Sequence, residues 1–212
     1  MQERAAHTRG ALIESAAAEF ERAGYDGASL ARISSAARAS VGALTFHFRT
    51  KAALADAVCA ASRAGTALLV SQALTSPEPP LVALRHLVTG LTRLVETSVV
   101  ARAAARLRHE LPGVPVSAPS PALDWPVALN LLVKRARRAG SLREGVAPEV
   151  AETLVHRFIE GTGVHLRGLD RSGTAGLGAT AEQLWELLEH SIAKSPDARG
   201  RIPDARGRTP DA

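Results

Sequence analysis

The chain has 212 residues, a net charge of +5, and 46% apolar residues of which few are aromatic (3%). That length supports a sizeable core, and a core built from Leu, Val, Ile and Ala favours packed helices. The single cysteine, Cys59, excludes an intrachain disulfide and a multi-cysteine zinc site, and no uncharged run reaches the roughly 18 residues of a membrane span, so a soluble, unexported, cytoplasmic chain is expected.

Residues 8–23, TRGALIESAAAEFERA, place Leu12, Ile13, Ala16, Ala17 and Phe20 at helical spacing, and Gly24 is expected to close that helix. After the turn GYDGA, Ser29 is an N-cap candidate for a short second helix with Leu30, Ile33 and Ala37 on one face. Ser40 caps a third from Val41, with Leu44 and Phe48 inward. The order is helix, tight turn, helix. A longer Ala/Leu-rich helix follows from Lys51 to about Leu74, stopped by TSPEPP. Another runs from Leu81 towards Val100, and VVARAAARLRHEL either continues it or bends away. PGVPVSAPSP (112–121) holds too many prolines for a helix and is expected to be a loop. Helical patterns resume at 123–139, 148–167 and 179–194. The reading is all-α, about nine helices, with no strand alternation. The repeated PDARGR segment after Pro196 lacks core-forming side chains and is expected to be disordered.

Between Asp26 and Asp56 there is no acid, while Arg32, Arg38, Arg49 and Lys51 all fall there, beside the aromatic run Phe46, His47 and Phe48. A polyanion meets no carboxylate on that segment. A third helix of this kind enters the DNA major groove, about 12 Å wide, where only small or polar outward residues approach closely. Val41, Gly42, Ala43 and Thr45 meet that requirement. Ser40 and Lys51 are phosphate-contact candidates, Lys51 by its charge and its amide. Phe46 and Phe48 are expected to lock the third helix onto helices one and four, with His47 packing or touching the DNA backbone.

The stretch SLARISSAARASVGALTFHFRTKAAL (29–54) resembles the N-terminal DNA-binding domain of the TetR family of transcriptional repressors. The resemblance implies a helix-turn-helix domain over 1–54, a ligand-binding and dimerisation domain over 55–194, and a tail over 195–212. It also implies a DNA-contacting set of Ser29, Arg38, Ser40, Val41, Gly42, Ala43, Thr45, His47 and Lys51. Three positions depart from the family. Arg38 stands where Gly is usual, a cost of about 1 kcal/mol if the backbone there is left-handed. Thr45 replaces a phosphate-binding Tyr, and Val41 replaces a Lys found in some members. GAL-x-FHF (42–48) and Trp125 further resemble the γ-butyrolactone autoregulator receptors of Streptomyces and the pseudo-receptors that respond to antibiotics. In that subgroup a Trp lines the ligand pocket, which implies Trp125, with Leu129 beside it, in a ligand site.

The last two helical patterns carry wide apolar faces, Val150, Leu154, Phe158 and Ile159 on one, Leu184, Leu188 and Ile192 on the other. Paired about a two-fold axis they make a four-helix interface, which sets two recognition helices about 34 Å apart on a pseudo-palindrome. Trp185 belongs to that interface or to the core. The basic run KRARR (134–138) reads as a solvated helix end. Histidines 86, 109, 156, 165 and 190 lack paired ligand spacing, and no nucleophile or nucleotide fingerprint occurs, so neither metal, cofactor nor enzyme is expected. The reading is a homodimeric repressor of a double-stranded operator, released by a small effector that swings helix four. Two rivals stay open: a ligand-binding or heterodimer partner with degraded DNA affinity, and a purely structural helical dimer.

Overall fold

The computed structural model describes residues 2–111, 124–172 and 180–194, so the Pro-rich 112–121 and the tail from 195 lie outside the described residues. Among the described residues nine helices follow one another: α1 (Gln2–Gly27), α2 (Leu30–Ala36), α3 (Val41–His47), α4 (Lys51–Thr75), α5 (Pro80–Thr97), α6 (Val99–Glu110), α7 (Trp125–Arg138), α8 (Pro148–Ser172) and α9 (Ala181–Ile192). One isolated bridge joins Leu142 to Ala193.

Short polar side chains set most of the helix starts. Ser29, Ser40, Thr50 and Ser98 each accept a hydrogen bond from the backbone N–H three residues on, and Thr180 forms a reciprocal capping box with Gln183. Each such cap stabilises its helix by about 1 kcal/mol. The cap at Ser98 makes α6 a helix of its own rather than a continuation of α5.

Gly24 does not end the first helix. It kinks it, with φ 77 and ψ 179, and the helix resumes to Gly27. The cause is tertiary. A Cβ at Gly24 would stand 2.7 Å from both Arg106 Nη2 and Glu110 Oε1, and the Tyr25 N–H donates to Glu110 Oε2 at 2.6 Å. Those side-chain tips can give way, so it is the backbone conformation, open essentially to glycine alone, that demands the one residue without a side chain.

Arg38 is left-handed, with φ 52, the one non-glycine residue of positive φ among the described residues. It terminates α2 through the Ala39 N–H to Ser34 carbonyl bond, 2.9 Å, the wrap that a C-terminal glycine ordinarily makes. Arg38→Gly is therefore expected to raise stability by up to about 1 kcal/mol, read as a higher midpoint in a urea melt.

The core has two parts. The first joins Leu12, Phe20, Ile33, Leu44, Phe48, Leu54 and Val58 to Ala103, Ala104 and Leu107 of α6. The unit formed by α1 to α3 is thus closed from behind by the start of α4 and by α6. The second joins the C-terminal half of α4 to α5, α7, α8 and α9 around Leu84, Leu87, Leu129, Leu132, Val155 and Trp185. Helix α4 serves both. By length and mean hydropathy (1.4) it is apolar enough to cross a bilayer, but 44% of that window is buried inside the fold, as a shared core helix requires.

Candidate functional site

Helix α3 is pinned by one side and bare on the other. Leu44 is wholly buried and Phe48 is 4% exposed, with the Arg9 guanidinium of α1 5.3 Å above its ring. Val41, Gly42 and Thr45 are exposed, Ala43 is half-buried, and no acid interrupts them. The Glu19 carboxylate orients the helix before it. It takes two hydrogen bonds from Arg22, at 2.9 and 3.0 Å, and one from the Ser29 N–H at 3.3 Å, which holds its carboxyl below the usual value.

Three expectations change in detail. Phe46, expected to anchor α3 on its neighbours, is 82% exposed and stands edge-on to the half-buried His47, their ring centres 5.4 Å apart. The anchoring is Phe48's alone, because one turn separates inward Leu44 from Phe48 and puts Phe46 on the opposite side. Lys51, expected to meet a phosphate, has its ammonium engaged within the protein. Nζ donates to the carbonyls of Asp26 and Ala28, at 3.0 and 2.9 Å, and lies 5.0 Å from the centre of the Tyr25 ring. It ties α4 to the end of α1, where orphan carbonyls favour a cation. Thr45 donates its hydroxyl proton to the Val41 and Gly42 carbonyls of its own helix, at 3.1 and 3.0 Å. What it presents outward is an acceptor and a methyl, a poor partner for phosphate and a good one for a thymine methyl. Ser40 is different. Its oxygen accepts from the Ala43 N–H at 3.0 Å, leaving its proton to donate.

Behind this unit lies a cavity of about 250 Å³ between α4, α5, α6, α7 and α8. Leu91, Leu94, Val95, Ala101, Ala105 and Ile159 supply its apolar wall, with Ser62 and Thr66 at one side and Arg108, His109, Arg157 and Glu160 at another. Trp125 is both wall and core: it is 6% exposed, and its ring lies 4.9 Å from that of His156. Leu129, expected beside it, is wholly buried in the second core cluster and is not part of the cavity wall, because one helical turn carries it past the cavity into the α7 packing face.

The link between cavity and α3 unit was not legible in advance. Arg102 of α6 forms a two-pronged ion pair with Glu21 of α1 and donates to the carbonyls of Val95 and Glu96. Arg106, one turn on, donates to the Glu21 carbonyl and to Glu110, both at 2.6 Å. The i, i+4 spacing of these arginines was the available signal. What it lacked was any sign of the facing element.

At the far end, Leu154 is 43% and Leu184 46% exposed, while Phe158 and Leu188 are half-buried. Trp185, Ile159 and Ile192 are core residues rather than surface ones. The basic run that ends α7 is in part engaged, since Arg135 donates to the Leu74 carbonyl at 2.7 Å.

A short capped helix presented by two others, with a cavity-bearing helical unit behind it, defines a helix-turn-helix regulator in its architecture. Residues 12–58 match the family model described as bacterial regulatory proteins, tetR family. The A-factor receptor protein of Streptomyces griseus is 30% identical over 201 residues, covering 91% of this chain and 66% of that receptor, just under two thirds of its length. CprB of Streptomyces coelicolor A3(2), a TetR family protein, is 30% identical with a TM-score of 0.68, over 89% of this chain and 90% of CprB. CprB in complex with its biological operator sequence superposes with a TM-score of 0.71 at 28% identity, over 91% and 92%. An ArpA-like γ-butyrolactone receptor does so with a TM-score of 0.70 at 26% identity, over 91% of each chain. The chain belongs to the TetR family of bacterial regulatory proteins. Within it, the A-factor receptor protein, CprB and the ArpA-like γ-butyrolactone receptor are among the proteins it resembles.

Proposed function

We propose that the protein is a cytoplasmic, ligand-responsive transcriptional repressor that binds a pseudo-palindromic operator as a homodimer and leaves it when a small effector of γ-butyrolactone or antibiotic type enters the cavity. The observation that carries this is the acid-free exposed side of α3, with Val41, Gly42, Ala43 and Thr45 small enough for the major groove. Exposed Phe46 joins that surface as a candidate thymine-methyl contact. Ser40 supplies a phosphate-binding hydroxyl, and Arg38 and Arg49 supply charge beside it.

The effector acts through α6 as well as α4. Both pack on the α3 unit and line the cavity, α4 tied to that unit by Lys51 and α6 by Arg102 and Arg106. A ligand that prefers the non-binding conformer by about 1.4 kcal/mol lowers operator occupancy tenfold, and a shift of α6 moves α1 and the recognition helices with it.

Fluorescence anisotropy of the purified protein against DNA flanking its own gene, at two salt concentrations and beside a scrambled duplex, tests the reading. Saturable, sequence-selective binding that weakens with salt supports it, and equal weak binding to both duplexes counts against it. Dimerisation through α8 and α9 makes a separate demand. Leu154→Asp, a charge on an exposed apolar face, should raise the dimer dissociation constant by about tenfold or more, read by sedimentation at micromolar concentration. An unchanged sedimentation profile would place the interface elsewhere.

A second reading rests on Thr45 and Lys51, whose hydroxyl and ammonium are committed within the protein. On it the chain is a ligand-binding or heterodimer partner with degraded DNA affinity. Thr45→Tyr distinguishes the two: a rise in affinity from an undetectable baseline favours the second, and a change from an already tight baseline favours the first.

A further inference from the structure

The cavity wall is largely apolar, with the Ser62 and Thr66 hydroxyls on α4 and a charged group that includes one cation unpaired among the described residues. Arg108 of α6 lines it and is itself exposed, with the protein packed around it lowering its pKa from the ordinary arginine value. Asp124 and Glu160 act on it as opposite charges and Arg63 of α4 as a like one, but no carboxylate among the described residues stands within ion-pair distance of it. Glu160 is engaged otherwise, 3.1 Å from Arg157 Nη1 and 3.4 Å from His156 Nδ1. Those partners balance it and leave Arg108 as the unbalanced charge of the wall.

A guanidinium that lines an apolar wall with no ion-pair partner among the described residues favours an anion there, and its fork matches a carboxylate better than any neutral group. A cavity of about 250 Å³ falls just below the roughly 300–1,000 Å³ typical of drug-sized ligands, so the body attached to that anion is small. We propose that the effector is a small amphiphilic carboxylate, its apolar body against Trp125, Leu91 and Ile159 and its carboxylate paired with Arg108. This rests on the reading of the cavity as an effector site and, within that reading, favours an acidic effector over a neutral lactone. It also places the anion on the helix that matters. Arg108 lies two residues beyond Arg106, about 200° round α6, so one side of the helix holds the ligand while the other holds α1.

The test uses the full chain with octanoate and octan-1-ol, equal in chain length and different in charge. Calorimetry should show octanoate bound at least about tenfold more tightly, the worth of one charge-assisted hydrogen-bonded pair. Arg108→Gln and Arg108→Met should abolish that preference and leave octan-1-ol binding unchanged. Equal binding of the two probes by the native chain, or a preference that survives both substitutions, overturns the carboxylate assignment and leaves the effector cavity intact. Failure of both probes to bind overturns the assignment and the effector reading together. Octanoate bound through Arg108 but unable to release operator DNA in an anisotropy assay upholds the carboxylate site and overturns the effector reading alone. The native-chain comparison needs no variant, so a misfolded Arg108 variant does not protect the proposal.

Discussion

Gly42→Asp is expected to weaken operator binding by about 100-fold or more while leaving the fold intact. Each protomer loses a close groove approach and places a carboxylate against the phosphate field, a loss of about 1.5 kcal/mol or more that counts twice in a dimer. Unfolding does not account for it. Gly42 is exposed, and a Cβ there meets nothing nearer than Ser40 Oγ at 3.8 Å. Position 42 is moreover the second residue of α3, where a negative charge suits the helix N-terminus and Asp is a better helix former than Gly. The melting temperature should therefore hold or rise as the anisotropy signal disappears. Retained specific binding would mean that α3 does not enter the groove by this side.

Cutting the link between α6 and α1 is expected to cost both stability and response. Arg102→Ala removes the paired contact with Glu21 and the bonds to the Val95 and Glu96 carbonyls. It leaves Glu21, whose side chain is 17% exposed, without its strongest partner. For a pair this far from bulk water the loss is about 2–3 kcal/mol, which in a domain of this size lowers the melting temperature by about 5–10 °C. The Glu21→Ala variant and the double variant complete a thermodynamic cycle whose coupling energy should be about 1 kcal/mol or more. The functional consequence is separable from the stability loss. Effector should still bind Arg102→Ala in calorimetry below its melting range, yet release less operator DNA than from the native chain. Undiminished release would leave α4 as the sole carrier of the signal, as sequence reasoning had it.

The contrast between Phe46 and Phe48 shows where hydrophobicity misleads. Both are aromatic, two apart, in the same motif, and hydrophobicity alone assigns both to the core. The spacing that set Leu44 and Phe48 inward already put Phe46, two residues from each, on the other side, and assigning it to the core by hydrophobicity overrode that period. Arg38 makes a further point, about backbone. The cost of a non-glycine residue there was legible as a condition, and the φ of 52 decided the condition. Lys51 and Leu129 were placed by analogy of position. Their actual partners, the Asp26 and Ala28 carbonyls and the core of the second cluster, come from elements distant in sequence.

What the sequence determined by itself is local in origin. The helices follow from apolar spacing, the starts of α2 and α3 from Ser29 and Ser40, and the acid-free segment around α3 from composition alone, because each depends on residues within a turn or two of one another. The tertiary structure alone decided that Gly24 kinks α1 rather than ending it, that α6 closes the core of the α3 unit, and that Arg102 and Arg106 grip α1 while Arg108 turns into the cavity. Those outcomes depend on which surfaces meet across some eighty residues of chain. No local pattern carries that information, since burial and ion pairing are properties of the packed whole.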